Sequence, residues 1–186
     1  MKRFFDIIFA AIVITILAPI FLFIWLVIRL TSKGPAIYWS DRVGRENMIF
    51  RMPKFRSMRI DTPILATHIL RNPKKYLTSF GPFLRKSSLD ELPQIWSILW
   101  GDMSFVGPRP ALFNQYDLIQ LRTSCGVSRL TPGLTGWAQV NGRDELPIRR
   151  KVELDLEYMK SQSLYFDIKI LFLTVRKVIS CESIFH

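Results

Sequence analysis

The sequence predicts an α+β fold, mainly helical, attached to one N-terminal membrane helix. Three observations predict it. An uncharged apolar run extends from Ile7 to Ile28, two short strand-like runs flank a turn through Gly44 and Asn47, and the C-terminal part carries apolar residues at helical spacing. The 186 residues suit one folded domain, expected over 34–186, after a membrane segment over 1–33. With 49% hydrophobic and 22% charged residues the chain is not a disordered one. A net charge of +11 calls for an anionic partner. Nucleic acid, acidic lipid headgroups and phosphorylated substrates all satisfy that requirement. Cys125 and Cys181 stand in no metal or redox spacing, and His68 and His186 are isolated, so neither a disulfide framework nor a zinc site is expected.

The apolar run comes first in the chain. Its 22 residues reach about 33 Å as a helix, close to the thickness of a bilayer core. The run is too long for the apolar part of a cleaved signal peptide. Lys2 and Arg3 precede it and Arg29 and Lys33 follow it, so positive charge gives no preferred side. Pro19 lies mid-run and removes a backbone hydrogen bond. The expectation is a re-entrant helix that breaks near Ala18-Pro19 and returns to its starting face. A plain spanning helix with a tolerated proline is the alternative.

Gly34-Pro35 ends that segment. Ile37 to Ser40 and Met48 to Met52 read as a short β-hairpin. Thr62 to Phe80 is ambiguous, with Pro63 and Pro73 limiting any helix. A helix is expected from about Asp90 to Trp100. Ser88-Leu89-Asp90-Glu91 fits a capping box, but that register puts Pro93 where a backbone donor is required. With Asp90 as cap, Pro93 falls among positions that lack partners anyway. Gly107-Pro108-Arg109-Pro110 reads as a rigid loop, Asn114 to Thr123 as a short helix, and Thr131 to Arg143 as an ordered loop. Pro147 can open a helix at its first turn, with Ile148, Val152, Leu156 and Met159 on one face. Leu164 to Ile179 is apolar with interspersed cations and suits an amphipathic helix at a membrane interface or a helix packed on the core.

Basic residues crowd the stretch from Arg42 to Lys75, where Lys54 is one of nine Lys or Arg against Asp41, Glu46 and Asp61. Such a stretch suits anionic headgroups or a pyrophosphate, and for most of its members a solvated face. The adjacent carboxylates of Asp90 and Glu91 are the sharpest chemical feature. A carboxylate is a poor nucleophile toward an anionic substrate unless a metal or cations neutralise it, and Arg85, Lys86 and Arg109 are candidates for that task. A glycosidase is excluded, because neighbouring residues cannot flank a bond from opposite sides. A membrane-tethered adaptor explains the charge and the anchor but not the acidic pair. An RNA-binding module lacks aromatics interleaved with the basic residues, so no nucleic acid is expected.

Phe83-Leu84-Arg85-Lys86-Ser87-Ser88-Leu89-Asp90-Glu91-Leu92-Pro93-Gln94 resembles a signature of the bacterial sugar transferases, the small monotopic phosphoglycosyl transferases of glycoconjugate assembly. Gly101 to Pro110 and Pro132 to Arg143 match two further signatures. Lys54-Phe55-Arg56-Ser57-Met58 is similar to the family's basic segment, and Arg42-Val43-Gly44 to its hairpin turn. The resemblance implies a UDP-sugar donor, a polyprenyl (undecaprenyl) phosphate acceptor and Mg2+, on the cytosolic face of the bacterial inner membrane among its lipids. It implies Asp90 as the nucleophile and a metal ligand, with Glu91 as its catalytic partner. Arg85, Arg109, Lys54 and Arg143 are implied in binding the substrates, and a homodimer is compatible with it. Ala18-Pro19 departs from the Ser-Pro often found at the family's helix break, so no hydroxyl stands ready beside the freed carbonyl.

Overall fold

The computed structural model describes residues 2–63, 73–142 and 146–179. Helix α1 (Lys2–Thr31) leads into a hairpin of β1 (Ile37–Val43) and β2 (Ile49–Phe55), followed by the short helices α2 (Gly81–Lys86) and α3 (Gln94–Trp100). Strands β3 (Ser104–Val106) and β4 (Ala111–Leu112), helix α4 (Tyr116–Ser124), strand β5 (Gly133–Thr135) and helices α5 (Trp137–Val140), α6 (Ile148–Ser161) and α7 (Leu164–Ile179) complete the chain. The mainly helical α+β expectation holds. The hairpin strands run longer than the sequence indicated: β1 continues through Asp41, Arg42 and Val43 toward the turn, and β2 through Pro53, Lys54 and Phe55 away from it, all of them paired in the ladder. Glu46 and Asn47 make that turn in left-handed conformation, and Gly44 N–H closes it on Met48 O at 2.7 Å. The antiparallel order is β2-β1-β4, which leaves β2 at an edge where Pro53 is tolerated.

The stretch 131–142, expected to be loop only, contains β5 and the single turn α5. β5 pairs in parallel with β3, Ser104 opposite Gly133 and Val106 opposite Thr135. Backbone meets backbone closely here. A Cβ on Gly133 would stand 2.1 Å from Gly107 N, and one on Gly136 would stand 2.1 Å from Gly107 O. Glycines at 107, 133 and 136 are therefore a packing requirement of this junction. Pro147 precedes α6 as its cap residue instead of occupying the first turn.

The main core gathers Met52, Ile95, Ile98, Met103, Phe105, Val106, Tyr158 and Ile170, and Ala10 of α1 joins it. Both ends of α1 dock on this one domain. At the start, Arg3 donates to Ile98 O and Leu99 O, the free carbonyls at the end of α3, and Asp6 accepts from Phe105 N–H at 3.3 Å. Lys2 reaches Asp167 of α7, which also receives the Tyr158 hydroxyl at 2.7 Å. At the other end, Ile24 and Ile28 pack with Ala36, Phe55 and Leu84. Between these anchors Ile12, Ile16, Leu22 and Phe23 stay exposed, and α1 is long and apolar enough to cross a membrane. Helical structure continues through Pro19, so the expected break is not a gap in the helix. Thr15 does not help the carbonyl freed by Pro19, since its hydroxyl bonds Ala11 O at 2.9 Å.

Gly133→Ala is expected to destabilise the fold toward the upper end of the ~1–3 kcal/mol typical of overpacking, because the atom it meets is backbone and cannot rotate aside. Gly126, whose Cβ position is open, is the control: Gly126→Ala carries only a backbone cost of roughly 1–2 kcal/mol for its left-handed conformation. Denaturant unfolding of the two variants measures both.

Candidate active site

Asp90 and Glu91 lie on a 3-10 turn over Leu89–Glu91, between α2 and α3. Neither sequence register for a helix cap is correct. Ser88 precedes the turn in left-handed conformation (φ 57°) with no side-chain cap, and Pro93 is the residue that leads into α3. Tight 3-10 bonding, Glu91 N–H to Ser88 O at 3.2 Å and Leu92 N–H to Leu89 O at 3.3 Å, carries both carboxylates on one turn between α2, which ends at Lys86, and α3, which begins at Gln94. A non-glycine residue held in left-handed geometry is mildly strained, and such strain is often kept beside functional groups.

Glu91 is the hub. Its Oε1 accepts from Lys54 Nζ and from Arg109 Nη2, each at 2.9 Å, so the hairpin edge and the Gly107–Pro110 loop converge on one oxygen. Burial pushes Glu91 upward, but Arg109 and Lys54 outweigh it and hold the carboxyl well below its usual range. Asp90 behaves in the opposite way. Burial raises its pKa to about 6, with the Glu91 charge adding to the rise and Lys54, Arg85 and Arg109 opposing it. Two adjacent carboxylates thus titrate far apart, a pattern that assigns them different tasks. Arg85, in the last turn of α2, belongs to the same cluster and has a 3.7 Å contact with Met58 Sδ. Asp90, Glu91, Lys54, Arg85 and Arg109 are all brought together. Arg143 lies outside the described residues.

The arginine loop is pinned at three consecutive carbonyls. Gly133 N–H donates to Pro108 O at 2.9 Å, Arg122 Nη1 to Arg109 O at 2.7 Å, and Arg42 Nη1 to Pro110 O at 3.3 Å. Arg122, on α4, is itself fixed by Asp155 of α6, whose Oδ2 accepts from Nε at 2.9 Å and from Nη2 at 2.7 Å. Arg109 therefore needs little ordering before it meets a ligand. Sequence reasoning missed Arg122 and Asp155. A signal existed: Asp155 falls on the apolar face of α6, three residues after Val152, where a buried acid demands a cation. The shallow pocket lined by Val43, Pro108, Pro110, Ile119, Arg122 and Leu130 borders this loop and contains neither carboxylate.

Among the described residues no group of three or more His, Cys, Asp or Glu forms a cage for a metal ion. Asp90 and Glu91 alone suit a cation that brings most of its oxygen ligands with it as water and phosphate, as Mg2+ does.

A family model described as bacterial sugar transferase matches residues 1–181. The chain is 40% identical over 185 residues to a UDP-glucose:undecaprenyl-phosphate glucose-1-phosphate transferase of Escherichia coli (strain K12), covering 95% of this chain and 40% of that protein. It is 35% identical over 198 residues to an undecaprenyl-phosphate galactose phosphotransferase of Salmonella typhimurium, covering 96% of this chain and again 40% of the relative. The chain thus spans about two fifths of those two proteins. A relative of similar length, the uncharacterized sugar transferase EpsL of Bacillus subtilis, is 40% identical over 99% of this chain and 90% of its own. With the matched model running from Met1 into the residues beyond α7, and Asp90, Glu91 and their cations inside the match, the chain belongs to the bacterial sugar transferase family.

Proposed function

We propose that the protein transfers a phosphosugar from a UDP-sugar to polyprenyl phosphate, forming a polyprenyl diphosphosugar and UMP through a covalent aspartyl intermediate. The observation that carries the reading is the unequal pair: Glu91 is tied to two cations, while Asp90 sits beside it with a raised pKa. An Asp90 carboxylate oxygen attacks the sugar-bearing phosphorus, the bond from that phosphorus to UMP breaks, and UMP leaves with the electron pair. An oxygen of the polyprenyl phosphate then attacks the same phosphorus and expels Asp90. A carboxylate of raised basicity is the better nucleophile. Glu91, held well below its usual range, is too weak a base to take a proton from the acceptor. Its task is to hold Arg109 and Lys54 where phosphoryl charge develops, with Arg85 beside them. Asp90 and the second oxygen of Glu91 are the groups that would hold Mg2+, which supplies charge neutralisation of the donor phosphates when bound. The names of the relatives, acting on undecaprenyl phosphate with glucose or galactose, support this donor and acceptor chemistry.

The same reading places α1 in the cytoplasmic membrane as a re-entrant helix, with residues 34–186 on the cytosolic face. Support comes from docking. Lys2, Arg3 and Asp6 at one end and Ile24 and Ile28 at the other all contact one domain, which a bilayer between them would prevent. Helix α7 is a candidate interfacial helix, since Tyr165, Ile168, Phe172 and Val175 share an exposed face. Exposed Trp39 and Trp100, stacked at 6.4 Å, suit the headgroup level.

Three outcomes are expected. Incubated with a panel of UDP-sugars, Mg2+ and undecaprenyl phosphate, the protein releases UMP. Asp90→Asn abolishes release and any phosphosugar adduct seen by mass spectrometry, while Glu91→Gln slows turnover at least ~100-fold, about 2.7 kcal/mol, with the fold intact. Full turnover by Asp90→Asn would exclude the covalent route. In Mg2+-free buffer, carboxyl NMR of labelled aspartate finds Asp90 ionising near pH 6, and Lys54→Gln moves that midpoint upward by removing the first-named opposing charge. An unmoved midpoint would separate Lys54 from the Asp90 field. For topology, single cysteines are placed ahead of Met1 and at Lys33 in a chain lacking Cys125 and Cys181. An impermeant thiol reagent applied to intact cells labels neither, and labelling of the N-terminal one alone would establish a spanning helix.

A further inference from the structure

The end of α1 contains a buried cation without a counter-charge among the described residues. Arg56 follows β2 and is 5% exposed. One of its nitrogens, Nη2, donates to Ser32 Oγ at 2.7 Å and Ser32 O at 3.3 Å, which closes the carbonyl end of α1. That capping role explains one nitrogen only. Nε and Nη1 are both buried and have no hydrogen-bond partner among the described residues. The charged group nearest in effect is another cation, since burial first and the Arg29 guanidinium second lower the Arg56 pKa. Arg29, exposed on the last turn of α1, bends back to donate to Gly34 O at 3.2 Å. Both guanidinium groups therefore converge on the Gly34 turn. Gly34 leaves space for them: a Cβ there would stand 2.5 Å from Arg56 Nη1, and its φ of +99° suits glycine.

A buried charge that is neither paired nor hydrogen-bonded on two of its donors is costly, and evolution could have placed a neutral cap at Ser32 instead. Two guanidinium groups at one turn, with Arg56 Nε and Nη1 unpartnered among the described residues, match the oxygens of a phosphate. The printed bonds of the two arginines go to Ser32 and Gly34 at the end of α1, whereas Glu91 is bonded by Lys54 and Arg109. We propose that Arg56 and Arg29 form a phosphate-binding site for a membrane lipid at the level where α1 leaves the bilayer. The lipid assignment rests on the membrane placement of α1 argued above, whereas the affinity for phosphate does not. Two lipids carry that chemistry: an anionic phospholipid and a polyprenyl phosphate.

The test uses the full chain in maltoside micelles, free of phosphate, Mg2+ and UDP-sugar. Thermal unfolding is followed against inorganic phosphate, short-chain phosphatidylglycerol and undecaprenyl phosphate, at constant ionic strength. Wild-type protein is expected to show a saturable rise in Tm with inorganic phosphate and a tighter one with at least one lipid. At a hundred times Kd the folding equilibrium shifts about a hundredfold. Arg56→Gln loses the saturable response. Arg29→Gln, changed at an exposed position and expected to fold, weakens Kd at least ~10-fold, while Arg150→Gln on the distant face of α6 leaves it unchanged. The lipid whose response Arg56→Gln removes identifies the source, and a response to undecaprenyl phosphate that survives in that variant belongs to the carboxylate-pair site. Arg56→Met is expected to be the more stable protein when no phosphate is present, because it removes an uncompensated charge. Equal responses in wild type and Arg56→Gln, or no saturable response to any of the three, would overturn the site. A response to inorganic phosphate with none to either lipid would overturn the lipid assignment. Cysteine labelling that places α1 across the bilayer would leave the phosphate response standing, so the two failures are distinguishable.

Discussion

Glu91 joins stretches of chain that are far apart in sequence, and the active-site geometry depends on that junction. Lys54 comes from the edge of the hairpin and Arg109 from the loop after β3, and both end on one carboxylate oxygen. Each cation would otherwise be drawn to solvent, and Glu91 would be a part-buried charge without compensation. The pair of ion pairs fixes the floor of the site before any substrate arrives. In the proposed reaction these two cations are what an anionic donor meets. Asp90 shares the burial but not the bonds, which is why its proton is held to higher pH than that of its neighbour.

Behind that junction stands a second layer that contains no reacting group. Three successive carbonyls, of Pro108, Arg109 and Pro110, are each held by a donor from a different element. The prolines restrict the backbone, and the three donors set where the restricted backbone lies. Asp155 belongs to this layer through Arg122, although it is buried in the packing of α4 on α6. The glycines at 107, 133 and 136 allow the loop and β5 to approach closely enough for the parallel pairing to form. Catalytic signatures and tight backbone packing thus coincide for a mechanical reason.

The sequence made the hairpin, α6 and α7 legible, because each shows its own periodicity or turn chemistry within a few residues, whereas α4 reads as a helix without an amphipathic pattern. It also made Asp90, Glu91, Lys54, Arg85 and Arg109 legible as candidates, through motif and charge. What it did not show was how they connect. The start of α3 was misplaced because cap rules assume an isolated helix end, whereas Ser88 adopts left-handed geometry that no local preference of serine favours. The parallel β3–β5 pair was invisible because three-residue strands carry no pattern, and their pairing partners are separated by a whole helix. Asp155 was visible as a letter on an apolar face, but only folding shows that Arg122 answers it.

A comparison of the buried cations ties these observations together. Arg122 is balanced by Asp155, and Lys2 by Asp167; each is a one-to-one pair that fastens elements to one another. Lys54 and Arg109 share a single carboxylate, and Arg85 acts on the same cluster. Arg56 has two nitrogens with no acceptor among the described residues. Where cation and carboxylate counts match, folding alone accounts for the arrangement, because the desolvation of each charge is compensated within the chain. Where cations exceed carboxylates in a buried place, the native state carries a standing cost that only an anion from outside relieves. By this criterion the two one-to-one pairs are fasteners, and Arg56, bonded among the described residues only through Nη2, is the proposed phosphate site. The net charge of +11 is then not merely a property of the surface. Part of it, Arg29 and Arg56, is concentrated at the end of α1, the helix long and apolar enough to cross a membrane.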